Sequence, residues 1–508
     1  MFVKVTSGAV MGVDGYTVDV EVDLTTGLPA FDIVGLPDSA VKESRERVRA
    51  AIRNAGFSFP IKRITVNLAP ADTRKSGPAF DLPVAVGLLI CTGNLRPAHA
   101  EGTFFTGELS LDGALRPVNG VLPMVLAAKA QGAKTCFVPA DNASEAALVD
   151  GMTVYPVAHI AQIVEHFNGQ PITPTVVDIS RFFAAETNHY SVDFADVAGQ
   201  THVKRALEIA AAGYHNVLMM GPPGAGKTML ARRMPTILPS LSMDESMEIT
   251  KIYSIAGLLN QKDALMNERP FRTPHHTSSY ISLTGGGRIP MPGEISLAHN
   301  GVLFLDELPE FQKKALETMR QPLEDGQITL ARAGGVCTYP SVFLLLASMN
   351  PCPCGYHGTR KCKCSDAEIA RYLDKISGPL LDRIDIQVEA TPVAYDELTH
   401  KAPDSEPSTD VKQRVEDARE RQARRFAGEN IHFNAKMPAA LINKHCGLKK
   451  DAQDLLKQAF NSMKLSARAY HKILKIARTI ADLAGENEIG VVHLAEAISY
   501  RGLDRKYW

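Results

Sequence analysis

The sequence has few cysteines and no long hydrophobic run, and each absence excludes a class of protein. Eight cysteines in 508 residues argue against a disulfide framework and favour a reducing compartment. No apolar stretch reaches the ~18 residues that a membrane span requires. The first residues, MFVKVTSGAV, lack the apolar segment of a secretory signal. We therefore expect a cytoplasmic protein that makes no contact with a membrane.

Charge and length set two further limits. The 55 lysines and arginines are balanced by 56 acidic residues, which gives a net charge of −1. Any binding to nucleic acid must therefore depend on local basic groups rather than on a basic chain. Apolar residues make up 45% and charged residues 22% of the chain, which fits a globular protein and excludes general disorder. A chain of this length is expected to form about three domains.

Apolar patterning divides the chain into four segments. Residues 1–180 alternate short β-rich runs with helical ones, which predicts an α+β domain. Residues 181–192 belong to a stretch without a clear period and are predicted to be a linker. Residues 193–392 alternate strands and helices, as a parallel α/β sheet does, and residues 393–508 are largely helical. In the first domain we predict strands at Tyr16–Leu24 and Ile64–Leu68 and helices at Asp38–Ala55, Leu82–Cys91 and Val121–Gln131.

Residues 221–228 read GPPGAGKT and match the phosphate-loop pattern in full. An apolar strand precedes the motif and a helical run follows it, so a plain glycine turn is the weaker interpretation. The glycines let backbone amides close around phosphates, with the helix N-terminus facing the same anion. Lys227 is predicted to bind the β- and γ-phosphates and Thr228 to bind Mg²⁺. The predicted nucleotide-binding residues of the loop are Gly221, Pro222, Pro223, Gly224, Ala225, Gly226, Lys227 and Thr228.

Two later strands end in polar residues. The apolar run from Val302 ends at Asp306 and Glu307, and the run 342–347 is followed by Ser348, Met349 and Asn350. The carboxyl ends of parallel strands meet at one edge of a sheet, where ligands bind. Asp306 is therefore predicted to hold Mg²⁺, Glu307 to act as general base, and Asn350 to orient the attacking water. Taken alone, these residues would be solvated acids and a turn residue.

Two arginines are candidates for contact with the nucleotide. Arg383 lies just past a helix in LLDRID, and an arginine supplied by a neighbouring subunit can raise turnover ~10³–10⁵-fold. The alternative is a salt bridge with Asp382 or Asp385. Arg468 follows the predicted N-cap Ser466, where a cation opposes the helix dipole by up to ~1 kcal/mol. Such a placement suggests an anionic ligand, although chance placement remains an alternative.

Four cysteines directly follow Asn350: Cys352, Cys354, Cys362 and Cys364. Four thiolates match a tetrahedral Zn²⁺ site in number and softness, with His357 as a possible substitute ligand. The C-x-C spacing is tighter than the common C-x₂-C, and reduced thiols without a metal are the alternative. We predict a structural zinc beside the ATP site.

Several motifs resemble those of AAA+ ATPases and occur in the same order. DVAGQ (196–200) is followed by the phosphate loop, LFLDE, SMNP, LLDRID and SARA. FRTPHHTSS (271–279), GGGRIPMPGEISLAHNGVLFLDE (285–307), PLEDGQITLARA (322–333) and NPCPCG (350–355) are similar to the magnesium-chelatase-like branch, and within it to the YifB/ComM family. The resemblance covers essentially the whole chain. It implies an AAA+ domain with a helical C-terminal lid, ATP and Mg²⁺ as cofactors, and a homo-oligomeric ring, a hexamer. It also implies activity on single-stranded and branched or double-stranded DNA, with branch migration during natural transformation.

The first domain resembles the Lon-protease domain, of the ribosomal-S5-like fold, at GELSLDG (107–113) and AKTCFVP (133–139). Ala79 stands where Lon enzymes carry the nucleophilic serine, and Leu122 stands where they carry the lysine. Without a hydroxyl and its amine base there is no Ser–Lys nucleophile. We therefore expect a domain without protease activity, used for interaction or DNA contact.

Two hairpin-like inserts could reach DNA in the centre of such a ring. They span Leu283–Pro292, with Arg288, and Gln327–Tyr339, with Arg332. One basic group per tip, repeated around a ring, would give salt-dependent and sequence-tolerant binding; solvated turns are the alternative. Arg269, Arg272, His275 and His276 form a further basic stretch, predicted to be structural or close to DNA, with the two histidines pointing opposite ways on a strand. An ATP-driven motor that remodels a protein is the alternative to a DNA motor.

Overall fold

The computed structural model describes residues 1–182, 190–259, 264–287, 290–332, 335–392 and 406–503. Residues 183–189 of the predicted linker lie outside this description.

The N-terminal domain is built on a mixed β-sheet. Its strands are β1 (Phe2–Met11), β2 (Asp14–Thr25), β3 (Ala30–Val34), β4 (Arg63–Ala69), β5 (Thr103–Phe105), β6 (Glu108–Leu109), β7 (Leu115–Arg116), β8 (Thr135–Pro139) and β9 (Thr153–Val157). Its helices are α1 (Ser39–Asn54), α2 (Asp81–Cys91), α3 (Val121–Ala130), α4 (Ala143–Ala146) and α5 (Ala161–Phe167). The strand order within the described sheet is β3-β4-β2-β1-β5-β8-β9, and β6 and β7 form a separate hairpin.

The predicted strands and helices of this domain are confirmed, with ends shifted by one or two residues. Alternate residues of β2 from Val18 to Leu24 are buried in one apolar cluster with α1 and α2, as a strand with one covered face requires. Helix α1 begins after Asp38, whose carboxylate accepts the backbone N–H of Val41 at 2.9 Å.

The second domain contains a parallel sheet. Its strands are β10 (Val217–Met220), β11 (Phe271–Arg272), β14 (Val302–Leu305), β17 (Leu344–Met349) and β18 (Ile386–Glu389), in the order β11-β14-β17-β10-β18. All described neighbours pair in parallel. Every residue of β10, β14 and β17 is buried, since helices cover both faces. Strand β17 spans Leu344–Met349, whereas the sequence predicted residues 342–347. It ends at Met349 because that residue still pairs with Met220 of β10.

The helices of this domain surround the sheet, and two hairpins extend from it. The helices are α6 (Thr201–Gly213), α7 (Lys227–Ala231), α8 (Met234–Ile237), α9 (Met243–Ala256), α10 (Tyr280–Thr284), α11 (Glu294–Leu297), α12 (Lys313–Thr318), α13 (Arg320–Asp325), α14 (Asp366–Leu373) and α15 (Gly378–Leu381). One hairpin pairs β12 (Gly285–Gly286) with β13 (Met291–Pro292), and the other pairs β15 (Gln327–Arg332) with β16 (Gly335–Pro340). The predicted hairpins are thus both present. They touch each other, since the Tyr339 hydroxyl donates to the carbonyl of Pro290 at 2.9 Å.

The C-terminal helices share one apolar core with the sheet domain. They are α16 (Ser408–Arg425), α17 (Ala439–His445), α18 (Lys450–Met463), α19 (Ala467–Leu483) and α20 (Val491–Ser499). Arg414 of α16 pairs with Glu208 of α6 at 2.6 Å, and Gln422 donates to the carbonyl of Ala212 at 2.8 Å. Ser466 caps α19, as predicted, by accepting the N–H of Ala469 at 3.2 Å. Across the described parts of the chain, none of the helices combines the length and apolarity needed to cross a bilayer.

Helix α9 connects the sheet domain to the N-terminal domain. The Ser254 hydroxyl donates to the Glu145 carboxylate at 2.5 Å, and the backbone N–H of Gly120 donates to the Ser254 carbonyl at 3.1 Å. Glu145 is buried, and it also accepts from Asn142 at 2.7 Å and from the backbone of Leu122 at 3.2 Å. Burial raises the pKa of Glu145. The contact is therefore a buried polar junction rather than a loose surface apposition.

Candidate active site

The phosphate loop joins the end of β10 to the start of α7. Gly224 and Gly226 have φ values of 81° and 80°, which residues with a Cβ rarely adopt, and no other atom lies within 4 Å of where a Cβ would stand. Gly221 is needed for a different reason, because its Cβ would lie 2.3 Å from the carbonyl oxygen of Ala390. The loop thus exposes backbone in front of a helix N-terminus, the arrangement that binds phosphates.

Lys227 lies at the centre of this loop and is 9% exposed. Its ammonium donates to the carbonyls of Gly221 at 2.7 Å and Pro222 at 3.0 Å, and to Asn350 Oδ1 at 3.1 Å. Burial lowers the pKa of Lys227, while the nearby Asp306 and Glu307 carboxylates act in the opposite direction. The contact with Asn350 brings the end of β17 to the phosphate loop, as the parallel sheet predicts.

Thr228 and Asp306 form the pair expected of a magnesium site. The Thr228 hydroxyl donates to Asp306 Oδ2 at 2.7 Å, and the Ser348 hydroxyl bonds Asp306 Oδ1 from the other side. A hydroxyl and a carboxylate next to a phosphate loop are hard oxygen ligands of the kind that Mg²⁺ prefers. The two side chains therefore fit the ion that the loop implies.

Glu307 projects from the end of β14 beside a histidine. Its φ and ψ are 54° and 49°, in the left-handed region that is unfavourable for residues with a Cβ. His276 Nδ1 lies 3.5 Å from Glu307 Oε2. The prediction that His275 and His276 face opposite ways on a strand is wrong: β11 ends at Arg272 ahead of Pro274, and the two rings lie 4.1 Å apart.

Gln200 supports the phosphate loop from behind, and sequence reasoning missed it. Its side-chain amide donates to the carbonyls of Ala225 at 3.1 Å and Thr391 at 2.5 Å. Its φ of 55° places it at the start of α6 in an uncommon conformation. The motif DVAGQ was the available signal, but the spacing does not reveal which backbone atoms its glutamine reaches.

Arg383 is held by α13 and by the carbonyl of Pro379 in α15, to which its guanidinium donates at 2.5 Å. Its guanidinium donates to the Arg320 carbonyl at 3.2 Å and pairs with Glu324, leaving the side chain 11% exposed. The alternative of a salt bridge with Asp382 or Asp385 is wrong. Asp385 pairs instead with Lys472 at 3.0 Å.

Arg468 opens onto the same cleft as Arg383. Its side chain is 64% exposed and lies 3.6 Å from Asp382. The cleft has a volume of about 390 Å³, and its basic lining residues are Arg383, Lys436, Arg468, Lys472 and Lys475. As far as the described residues go, those of the phosphate loop do not line this cleft. The two arginines are therefore brought together, but apart from the loop of their own chain.

The four cysteines form one cluster in the loop of residues 351–365, here called the cysteine loop. The four sulfur atoms all lie within 4.8 Å of one another. Cys362 lies 3.9 Å from Cys352 and 3.8 Å from Cys354, which are 3.3 Å apart. A tetrahedron with Zn–S bonds of about 2.3 Å has edges of about 3.8 Å, so the sulfurs stand close to metal-binding positions. Backbone N–H groups of Lys363 and Tyr356 lower the pKa of Cys354 to about 6. The cluster is compatible with zinc.

The arginines that were predicted to lie near DNA differ in how far the structure describes them and in their ion pairs. Arg288 lies outside the described residues, and Arg332 is placed at the end of β15 by its backbone alone. Arg269 is buried and pairs with Glu245 at 3.0 Å, and Arg272 pairs with Glu294 at 2.7 Å. The last two arginines are structural.

At the Lon-like positions, the structure has apolar side chains. Ala79 lies in a short 3₁₀ turn at Pro78–Phe80, and Leu122 is fully buried. Lys75, nearby in sequence, is also buried, and its ammonium donates to the carbonyl and hydroxyl of Thr73 at 2.9 and 3.1 Å.

The fold and the site define an AAA+ ATPase with a Lon-like first domain. A phosphate loop follows β10, β17 lies between it and the carboxylate strand β14, and Lys227, Thr228, Asp306 and Asn350 meet at one edge. Sequence comparison then narrows the class. The chain belongs to the magnesium-chelatase-like family that includes ComM and YifB.

Three family descriptions match successive parts of the chain. Subunit ChlI of Mg-chelatase matches residues 20–142, magnesium chelatase subunit ChlI matches residues 193–398, and its C-terminal part matches residues 405–501. The competence protein ComM of Haemophilus influenzae is 44% identical over 501 residues, covering 98% of this chain and 97% of its own. The YifB protein of Escherichia coli is 42% identical over 499 residues, covering 98% and 96%. The Lon protease of Mycolicibacterium smegmatis is 27% identical over 167 residues, 31% of this chain and 21% of its own.

Proposed function

We propose that the protein is an ATP-driven, ring-shaped DNA motor that promotes branch migration and the integration of DNA in homologous recombination and natural transformation. The observation that carries the ring is the cleft shared by Arg383 and Arg468, away from the phosphate loop of the same chain. Arginines that lie in a cleft apart from the phosphate loop of their own chain are placed to contact the nucleotide of a neighbour. A head-to-tail contact of this kind closes into a ring, here a hexamer.

The proposed reaction is hydrolysis of ATP between its β- and γ-phosphates. Lys227 binds the β- and γ-phosphates, and Thr228 and Asp306 hold Mg²⁺, which when bound neutralises charge on the phosphate oxygens. Glu307 takes the proton of the attacking water, and Asn350 orients that water at the end of β17. The neighbour's Arg383 and Arg468 then stabilise the charge that develops in the transition state.

Contact with DNA is assigned to the two hairpins. The contact between Tyr339 and Pro290 keeps β12–β13 and β15–β16 side by side. Arg288, between β12 and β13 in the sequence, and Arg332, the last residue of β15, are proposed to bind DNA phosphates, single-stranded or duplex, in the central channel. Such contacts carry little sequence preference and weaken with salt. The similarity over nearly full length to a protein named for competence supports DNA as the substrate.

The cysteine loop is proposed to hold a structural Zn²⁺ through Cys352, Cys354, Cys362 and Cys364. The distances between the four sulfur atoms support this. Elemental analysis of protein purified without chelator should find one zinc per chain. Absence of zinc in such a preparation would remove the assignment.

The N-terminal domain is proposed to lack protease activity and to serve interaction or DNA contact in a cytoplasmic protein. Ala79 and Leu122 provide neither a nucleophile nor a base. Incubation with an unfolded protein substrate and ATP should therefore yield no cleavage.

One experiment tests the motor directly. ATP hydrolysis should be stimulated by single-stranded, duplex or branched DNA, the stimulation should fall as salt is raised, and Lys227→Ala should abolish it. Light scattering with a non-hydrolysable ATP analogue and DNA should show a hexamer. A protein that stays monomeric under these conditions, or that shows no salt-sensitive stimulation by DNA, contradicts the proposal.

A protein-remodelling motor is the alternative function, favoured by the magnesium-chelatase matches along the chain. In that case ATP hydrolysis would respond to a protein partner and not to DNA. The same assay, run with DNA and with a cell extract freed of nucleic acid, separates the two.

A further inference from the structure

The cysteine loop touches the phosphate loop at one point. A Cβ on Gly355 would stand 2.5 Å from Cδ and 2.9 Å from Cγ of Pro223. Gly355 has a φ of 84°, so both its conformation and its surroundings require glycine. Pro223 is the residue before Gly224, where the phosphate loop turns. The backbone of the cysteine loop therefore lies directly against the ring of Pro223.

The same loop is fixed at a second point beside the nucleotide site. It begins one residue after Asn350, whose side chain accepts a hydrogen bond from Lys227 at 3.1 Å. Its first cysteine, Cys352, is fully buried. Its far end is anchored by Ser365, which caps α14 by accepting the N–H of Glu368 at 3.4 Å. The sulfur cluster closes the segment between these anchors into a compact unit.

We infer that the cysteine loop, closed by its metal, is a structural support that positions the phosphate loop. It holds Pro223 and Asn350 in the positions that the β- and γ-phosphates require. This support contributes to nucleotide affinity and takes no part in the chemical step. The inference rests on the proposed zinc and ATP sites and adds that the two are physically coupled.

The physical reason is restraint of the chain. A metal that joins Cys352 and Cys354 to Cys362 and Cys364 removes most of the conformations open to the segment between them. Without the metal, the backbone at Gly355 is free to withdraw from Pro223. The phosphate loop then loses packing on one side and binds its anion from a broader set of conformations, which weakens binding.

Two glycines of the cysteine loop provide a matched pair of variants. Gly355 and Gly358 have φ values of 84° and 82°, but a Cβ on Gly358 would meet no atom within 4 Å. Alanine strains the backbone similarly at both positions, and only Gly355→Ala pushes against Pro223. We expect Gly355→Ala to weaken binding of a fluorescent non-hydrolysable ATP analogue at least tenfold, and Gly358→Ala to change it less than twofold. Binding is measured in excess Mg²⁺ and without DNA.

A rescue variant separates this contact from general misfolding. Pro223→Ala removes the Cγ and Cδ atoms that the new methyl group would meet, so adding Gly355→Ala to Pro223→Ala should weaken binding less than twofold relative to Pro223→Ala alone. Zinc content should stay at one per chain in all of these variants. Equal affinities for Gly355→Ala and Gly358→Ala, or a tenfold loss when Gly355→Ala is added to Pro223→Ala, would overturn the inference.

Removal of the metal provides the second measurement. Protein stripped of zinc with a chelator and returned to excess Mg²⁺ should bind the analogue about as weakly as Gly355→Ala does. Removal of zinc from the Gly355→Ala variant should weaken binding of the analogue little further, because both changes disturb the same contact between Gly355 and Pro223. Unchanged affinity after stripping overturns the coupling. Unchanged affinity in Lys227→Ala would instead show that the ATP site itself is wrongly assigned, so the two failures are distinguishable.

Discussion

Release of Arg383 from Glu324 should raise ATP hydrolysis in the absence of DNA. In the proposed ring, the Arg383 guanidinium must leave Glu324 and the carbonyls of Arg320 and Pro379 before it can reach a neighbour's nucleotide. Glu324 is 53% exposed and Arg383 11% exposed, so the pair is partly screened and is expected to contribute about 1 kcal/mol. Loss of that amount increases the population of free Arg383 about fivefold.

The variant Glu324→Gln should therefore raise the basal kcat roughly two- to fivefold with little change in KM for ATP, and it should reduce the stimulation by DNA. Glu317→Gln is the matched control, because Glu317 lies in the same groove and pairs with Arg320 at 3.0 Å. Glu324→Asp should behave more like the natural protein. Adding Arg383→Ala should remove the gain. A basal rate that is unchanged or lower in Glu324→Gln would refute the restraint.

Three further outcomes are expected. Glu307→Gln should keep ATP bound while lowering single-turnover hydrolysis at least about 100-fold, since the general base is lost; normal turnover would show that Glu307 is not the base. His276→Ala should lower kcat a few-fold at constant KM, because His276 is the side chain 3.5 Å from the Glu307 carboxylate, whereas His275→Ala should have little effect; equal effects would refute the positioning role. Burial alone would raise the pKa of Asp385, but the Lys472 ammonium holds it well below its ordinary range. That depressed pKa stabilises the fold above about pH 4 and ceases to do so as the pH falls further. Asp385→Asn should thus lower the free energy of unfolding by about 3–5 kcal/mol at neutral pH, with the gap closing in acid; a gap independent of pH would contradict the ion pair.

The sequence predicted the parts of the site that lie within one short segment or at the ends of parallel strands. The phosphate loop carries its strand, its glycines and its lysine within one short segment, and a parallel sheet brings Asp306 and Asn350 to the same edge. These contacts depend on backbone topology, which hydrophobic patterning reports well.

The parts that sequence reasoning missed depend on tertiary packing. The restraint on Arg383 comes from Glu324, 59 residues away, and nothing in the local pattern distinguishes that glutamate from other surface acids. The sequence pattern predicted a strand at His276, but β11 ends at Arg272, ahead of Pro274 and the two histidines. The backbone of Gly355 contacts the pyrrolidine ring of Pro223. The sequence shows only that a glycine is present at position 355.

The junction between Glu145 and Ser254 includes one of the two Lon-like positions, Leu122. The amide of Leu122, at the position of a protease's lysine, is tied to a carboxylate that is clamped to the ATPase domain. A serine at Ala79 and a lysine at Leu122 would leave this hydrogen bond in place, because it is made by the backbone N–H at Leu122. Because Ser254 of α9 bonds both Glu145 and the backbone of Gly120, a displacement of α9 would act directly on the N-terminal domain.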